Sequence, residues 1–241
     1  MNSTNFDILV VCFNDDSRLL LTLESISDTT FRNLVIIQDG SMLDSTVEVV
    51  KKKSDRLNII HVRERDSGLY DAMNKGARHV NESFFLTINC GDKLLKSEFP
   101  YNGDGCNLIL CAVSLRFRSR LNLVYRPEIL EMHSRMACCH QGAIIEKKLF
   151  IDLGGYNIRY KIASDYDFMI RAIKNSNKIM IAGEFIIAEF EGDNGMSEKH
   201  RFLLEMETAA IKNTHYSKRL LNKALVIINH ILRYINFRLA R

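Results

Sequence analysis

The sequence predicts an α/β fold built on a mostly parallel sheet with flanking helices and a helical tail. Three observations predict it. Short apolar runs alternate with amphipathic segments over residues 6–89, a rhythm that implies right-handed βαβ units. The runs are nearly continuous in apolar residues, as strands covered on both faces are. Several of them lead into acidic or amide residues. In open α/β sheets the crevice beyond the carboxyl ends of the strands is where ligands bind.

FDILVVCF (6–13) reads as the first strand, and residues 16–28 have helical spacing through Leu19, Leu20, Leu23 and Ile26. NLVIIQD (33–39) is a second strand that ends on an acid. LDSTVEVVKKK (43–53) is a helix with Asp44 as its expected N-cap. LNIIHV (57–62) is a third strand, GLYDAMNKGARHV (68–80) a helix and SFFLTIN (83–89) a fourth strand. Further on, NLILCAVSLRF (107–117) and LNLVYR (121–126) read as strands that pair as a hairpin. KKLFIDLGGY (147–156) is a short helix stopped by Gly154 and Gly155. SDYDFMIRAIKN (164–175) is amphipathic, with an acidic start that suits the helix dipole. KIMIAGEFIIAEF (178–190) is one or two strands.

Composition bounds the class. The chain has 241 residues, 46% hydrophobic and 26% charged, which is ordinary globular usage. Six cysteines form no C-x-x-C pair, so a cysteine zinc site is not expected. No run of 18 apolar residues suggests a membrane span. The N-terminal apolar stretch is too short for a secretory leader and has no charged region before it, so a cytoplasmic chain with reduced thiols is expected. The net charge of +4 is uneven: the seven Lys and Arg residues beyond Glu207 meet no acid, leaving 26 basic against 29 acidic residues before them. A basic tail on an acidic body suggests that the tail has its own partner.

The acids that follow the first four strands fall at Asn14-Asp15-Asp16, Gln38-Asp39-Gly40, Glu64-Arg65-Asp66 and Asn89-Cys90-Gly91-Asp92. In a parallel sheet these share one edge, where like charges repel unless something cationic or rich in hydrogen bonds lies there. A divalent metal carrying a diphosphate fits, because Mg²⁺ takes one or two protein carboxylates and fills its shell from substrate phosphates. Asp39 is placed to accept from a nucleobase N–H or a ribose hydroxyl. The chain has no G-x-G-x-x-G, no G-x-x-x-x-G-K-[ST], no H-E-x-x-H and no G-x-S-x-G. That weighs against dinucleotide, P-loop, zincin and α/β-hydrolase sites.

Several stretches resemble the GT-A, family 2 glycosyltransferases. ILVVCFN (8–14), the TLESI of 22–26 and VIIQDGSMLDST (35–46) are similar to the family's nucleotide-binding start. ERDSGLYDAMNKGARHV (64–80) resembles the E-x-D-x-G-[IL]-Y-D-A-M-N-K-G stretch of the branch that builds bacterial O-antigens, lipopolysaccharide and exopolysaccharides, colanic acid among them. INCGDKL (88–94) resembles the L-N-S-G-D form of the family's metal motif. Residues 140–171 and FEGDNGMS (190–197) resemble the acceptor-side segment and a Phe-x-x-x-G-[VIM]-S loop. The resemblance covers about residues 1–207, with a donor half of about 1–95 and an acceptor half of about 96–207, and leaves 208–241 as a tail.

The resemblance implies a GT-A fold, a nucleotide-diphosphosugar donor, UDP being the commonest nucleotide, and Mn²⁺ or Mg²⁺ as cofactor. By motif match, Asn14, Asp39 and Asp66 belong with the nucleoside, Asp92 holds the metal on the diphosphate, and Asp165 is the catalytic base. Asp71 and Asn74, on the helix under the site, face the donor. His140 and Gln141 fall on the acceptor side, although a structural histidine beside Cys138 and Cys139 is an equal reading. Three positions depart from the pattern: Gly91 replaces the first acid of the metal motif, Ser164 stands where many relatives carry Glu, and Thr30 stands where Gln is usual.

One base opposite the leaving group implies direct displacement with inversion, since retention through double displacement needs a second, nucleophilic carboxylate. The expected activity is that of a metal-dependent inverting hexosyltransferase. Asp167 is the rival base; residues two apart on a helix point in different directions, so one of the two faces the site. Two other readings stand beside this one. A sugar-nucleotidyltransferase would need a Gly-rich loop near the N-terminus. A catalytically inactive sugar-nucleotide-binding partner of another transferase is the alternative that Gly91 keeps open.

From Tyr216 onward, Leu221, Leu225, Ile228, Leu232, Ile235 and Leu239 form one apolar stripe with basic residues largely opposite. A basic amphipathic helix of this kind lies in the headgroup region of an anionic bilayer. The other occupants for the stripe are the catalytic domain and a second copy of the chain, which would make a homodimer. The family setting implies a polyprenyl-diphosphate-linked glycan acceptor and a peripheral place on the inner face of the plasma membrane. No aromatic-studded basic stretch points to nucleic acid.

Overall fold

The structure is a computed structural model that describes residues 5–30, 33–41, 43–96, 105–118, 121–193 and 195–216. The first half is β1 (Asp7–Cys12), α1 (Asp16–Ser27), β2 (Leu34–Asp39), α2 (Asp44–Lys53), β3 (Asn58–Arg63), α3 (Leu69–Gly76) and β4 (Phe84–Asn89). The second half adds β5 (Lys93–Leu94), β6 (Leu108–Arg116), β7 (Leu123–Tyr125), β8 (Ala143–Glu146), α4 (Lys147–Asp152), α5 (Ser164–Asn175), β9 (Ile179–Glu191), α6 (Met196–Lys199) and α7 (Arg201–Tyr216).

The strands form a single mixed sheet in the order β3-β2-β1-β4-β8-β6-β9-β5, with β7 paired to β6. β1 runs parallel to both β2 and β4, and β3 parallel to β2. β8 enters antiparallel between β4 and β6. The expected hairpin of β6 and β7 forms with antiparallel register, and residues 178–190 yield one long strand, β9, whose pairing with β6 shifts register.

The period-two alternation of strands divides the core into two layers. Leu9 and Val11 of β1 join Met73, Phe150, Phe168 and Ile211 on one face, under α3, α4, α5 and α7. Ile8, Val10 and Cys12 join Leu19, Leu23, Ile26 and Val50 on the other, under α1 and α2. Cover on both faces accounts for the fully buried β1 and β2, whereas the edge strand β3 is half-exposed.

One local expectation is corrected. Leu43, not Asp44, occupies the N-cap position of α2, without a side-chain cap bond. Asp44 lies in the first turn, paired with Arg63 at 3.5 Å. The expected start of the tail at residue 208 falls inside α7, which runs on to Tyr216 and buries Ile211 in the main core. The rest of the apolar stripe, from Leu221 on, lies outside the described residues. Among the described residues, no helix is long and apolar enough to cross a membrane.

Candidate active site

Parallel register brings the strand ends level: Cys12 lies beside Asp39, Asp39 beside Arg63, and Val11 beside Asn89. The loops that leave β1, β2, β3 and β4 therefore open on one edge. The turn after β4 needs Gly91, whose φ of +94° is one that side-chain-bearing residues rarely adopt. Helix α1 holds that turn from beneath. The Thr22 hydroxyl donates to Asp92 O at 2.8 Å and accepts from Gly91 N at 2.9 Å. Leu94 N donates to Ser25 Oγ at 3.0 Å. Thr22 and Ser25 of the TLESI stretch thus fix where Asp92 sits.

Asp92 is buried, and its Oδ2 accepts from Asn89 N at 3.0 Å and from Gln141 Nε2 at 3.3 Å. Burial pushes its carboxyl up to about 6, against the opposing pull of these bonds and of the nearby His140 and Arg18. A short 3-10 turn at His140–Gly142 places His140 and Gln141 over the end of β4. His140 Nε2 lies 3.3 Å from Asn89 Nδ2, and Nδ1 lies 3.3 Å from Asp165 Oδ2. With Nε2 accepting from the amide, the ring proton sits on Nδ1 and is donated to Asp165. Asp165 Oδ1 accepts from Tyr70 OH at 3.0 Å and from Tyr166 N at 2.9 Å. A carboxylate offers about four acceptor positions; three of those on Asp165 are used, and its side chain is 21% exposed.

Asp167 turns the other way. Its Oδ2 pairs with Arg171 at 2.8 Å and its Oδ1 with His215 Nε2 at 2.8 Å, against α7. Burial raises its carboxyl, but the bonds from His215 and Arg171 outweigh burial and hold it below the usual range.

Just beyond β1, Asn14 is exposed at a positive φ of 52°. Asp39 is fully buried and accepts from Ser41 N, the Ser41 hydroxyl, Thr46 Oγ1 and His61 Nε2. Burial raises this carboxyl, and the bonds from His61, Ser41 and Thr46 together bring it below its ordinary value. Asp66 lies directly against Gly40 and accepts from Gly68 N at 2.9 Å. Asp71 accepts from Ser67 N and the Ser67 hydroxyl, which ties down the loop before α3. Asn74 spends both ends of its amide on Tyr156, donating to its O at 2.9 Å and accepting from its N at 2.8 Å. It thereby joins α3 to the segment after α4.

The structure thus gathers Asp92, Gln141, His140 and Asp165 into one connected cluster and sends Asp167 and Asn74 elsewhere. Asn89, Tyr70 and Thr22 join it without having been singled out as site residues; the motifs that contain them, I-N-C-G-D, Y-D-A-M-N-K-G and T-L-E-S-I, were the available signal. Among the described residues, no group of three or more His, Cys, Asp or Glu forms a ready metal-ligand set. The donor chemistry nevertheless suits a hard cation. Asp92 supplies a carboxylate, and the neighbouring Asn89 carries a buried Oδ1 with no partner among the described residues.

Comparison with known proteins agrees with this geometry. Residues 7–96 match the family model described as glycosyl transferase family 2. That span contains Asp39, Asp66 and Asp92. A "PGL/p-HBAD biosynthesis glycosyltransferase" of Mycobacterium tuberculosis is 25% identical over 215 residues, covering 82% of this chain and 80% of the relative. Crystal structures of S. aureus TarS superpose on 97% of the chain. The 1–349 fragment in complex with UDP does so at a TM-score of 0.67, 16% identity and 72% coverage of that chain. A longer TarS structure is 14% identical, with a TM-score of 0.65, and this chain spans 44% of its length. A mannosyltransferase from Pyrobaculum calidifontis in complex with GDP-Man and Mn²⁺ gives a TM-score of 0.64 at 11% identity, over 91% of this chain and 66% of that one.

The fold is GT-A-like. The curled sheet flanked by helices and the loops at the carboxyl ends of β1 to β4 match that frame.

Proposed function

We propose that this chain is an inverting family 2 glycosyltransferase that moves a sugar from a nucleotide diphosphosugar, UDP foremost, to a hydroxyl of a glycan acceptor. One observation carries the reading: Asn89 and His140 link the Asp92 turn to Asp165 through one chain of hydrogen bonds. The acceptor oxygen attacks the anomeric carbon as the bond from that carbon to the diphosphate oxygen breaks, and the diphosphate leaves with the electron pair. Asp165 takes the acceptor's proton through its remaining acceptor position. His140, Tyr70 and the Tyr166 N–H hold that carboxylate in place, which sets the orientation of the reacting pair. The loops carrying Asn14, Asp39 and Asp66 form the nucleoside side. A Mg²⁺ or Mn²⁺ ion held by Asp92, with Asn89 beside it, would supply Lewis-acid stabilisation of the departing diphosphate.

The Y-D-A-M-N-K-G string supports an acceptor in bacterial surface-polysaccharide synthesis, carried on a polyprenyl diphosphate at the inner membrane face. The basic stripe of 216–241 would then meet anionic lipid.

The test is sugar release from UDP-, GDP- and dTDP-sugars with Mn²⁺, comparing the wild type with Asp92→Ala and Asp165→Asn. The wild type is expected to turn over one donor class and both variants to fall at least about a hundredfold. Equal, background-level release from all three proteins would favour an inactive sugar-nucleotide-binding partner instead.

A further inference from the structure

α5 begins without a side-chain bond from its N-cap residue, although Tyr166 N in its first turn donates to Asp165 Oδ1. Ala163 occupies the N-cap and offers no side-chain acceptor, although the first N–H groups of a helix need partners from outside it. The partner for the entering chain comes from α7. Glu207 is buried, and its carboxylate accepts from Lys161 N at 2.7 Å, Ile162 N at 2.9 Å and Ala163 N at 3.0 Å. On the opposite side of the same peptide, Ile162 O accepts from Tyr70 OH at 2.7 Å. The single Tyr70 O–H proton is shared between Ile162 O, the shorter contact, and Asp165 Oδ1 at 3.0 Å. Segment 161–163 is thus gripped by α7 through its N–H groups and by α3 through its carbonyl, two residues before Asp165.

α7 grips α5 a second time. Glu207, Ile211 and His215 recur at four-residue steps on one helix face. Ile211 is fully buried, and His215 holds Asp167. The two polar contacts bracket Asp165 along the chain.

We propose that Glu207 is a positioning residue for Asp165: by collecting the three N–H groups of 161–163 it fixes where α5 begins and hence where the Asp165 carboxylate stands. This rests on the transferase reading for its kinetic consequence, but not for the clamp itself. A carboxylate that receives three backbone N–H bonds is a strong, directional anchor, since charge-assisted bonds of this kind are roughly twice as strong as neutral ones. Gln keeps the size but turns an N–H₂ toward at least one of those donors. Asp keeps the charge but falls one methylene short.

The experiment uses the full chain, comparing the wild type with Glu207→Gln, Glu207→Asp and Ile211→Val. The last is a packing control on the same helix face. Amide hydrogen exchange at 161–163 is read beside donor KM, kcat and Tm. Expected for Glu207→Gln is exchange at 161–163 faster by about tenfold or more and a kcat lower by about ten- to a hundredfold, with donor KM within about twofold. Glu207→Asp is expected to fall between the wild type and Glu207→Gln, and carries the comparison should Glu207→Gln not fold. Ile211→Val is expected to lower Tm while keeping kcat. An unchanged kcat in a folded Glu207 variant, or an equal kcat loss in Ile211→Val, overturns the positioning role. If the wild type turns over no donor, the transferase reading fails; unchanged exchange at 161–163 in the variants would then separately refute the clamp.

Discussion

Asp165 and Asp167 sit two residues apart on α5 and face different neighbours: Asp165 meets His140 and Tyr70, and Asp167 meets Arg171 and His215 against α7. On the proposed reading, Asp165 serves the reaction and Asp167 serves stability. Asp167→Asn should leave donor turnover within about threefold of the wild type and destabilise the protein by about 2–4 kcal/mol, because it leaves the charge of Arg171 without its buried partner. The sign with pH follows from the lowered carboxyl of Asp167. Its stabilisation is present above the ordinary aspartate range and lost as pH falls through the lower folded-state value. Urea unfolding of both Asp→Asn variants at neutral and acid pH checks this. A large loss of turnover in the Asp167 variant with normal stability would reverse the assignment.

Asp92 carries the opposite linkage. Its carboxyl is pushed from 3.8 up to about 6 by burial, so the folded protein binds the proton more tightly than the unfolded chain does. Stability from this group falls as pH rises from about 4 to about 6, and above that window the ionised form costs about 2–3 kcal/mol. Asp92→Asn removes the cost, and its remaining side-chain oxygen can still accept from Asn89 N and Gln141. In chelator and without donor, the variant should have a Tm several degrees above the wild type at pH 7.5 and no advantage near pH 4. Donor turnover should fall in the same variant. A lower Tm at pH 7.5 would show that the carboxylate is not held at a cost.

Gly40 controls Asp66 by contact. A β-carbon at position 40 would overlap the Asp66 carboxylate, and that carboxylate is the movable end of a side chain. Gly40→Ala should therefore displace Asp66 at little cost to Tm. Affinity for UDP or the matching nucleotide should drop by about tenfold or more, as expected for losing one charge-assisted contact. Calorimetric titration with the nucleotide measures it, and unchanged affinity would remove Asp66 from the nucleoside side.

The first half of the fold was legible because its signals are local. Buried parallel strands are mostly apolar, and the helices between them must show one apolar stripe, so β1, β2, β4 and α1 to α3 could be read from residue order, while the half-exposed edge strand β3 was read from its short Ile-Ile-His-Val run. Strand β8 was not read: it is four residues long, Ala143–Glu146, and its place between β4 and β6 depends on partners distant in sequence. The cap of α2 was misassigned because a Leu in extended backbone can precede a helix without any side-chain bond. Motif strings named Asp92, His140, Gln141 and Asp165, and the fold brings these four together.

By itself, the sequence determined the α/β rhythm, the shared edge of the strand-end acids, and the two segments that carry Asp92 and Asp165, because periodicity and turn chemistry are properties of neighbouring residues. Only the tertiary structure decided which of Asp165 and Asp167 meets His140 and Tyr70, that Asn74 is spent on Tyr156, and that Glu207 on α7 anchors the chain before Asp165. Those outcomes depend on which distant groups meet each side chain. The cost of leaving a buried donor or acceptor unpaired then makes each meeting specific.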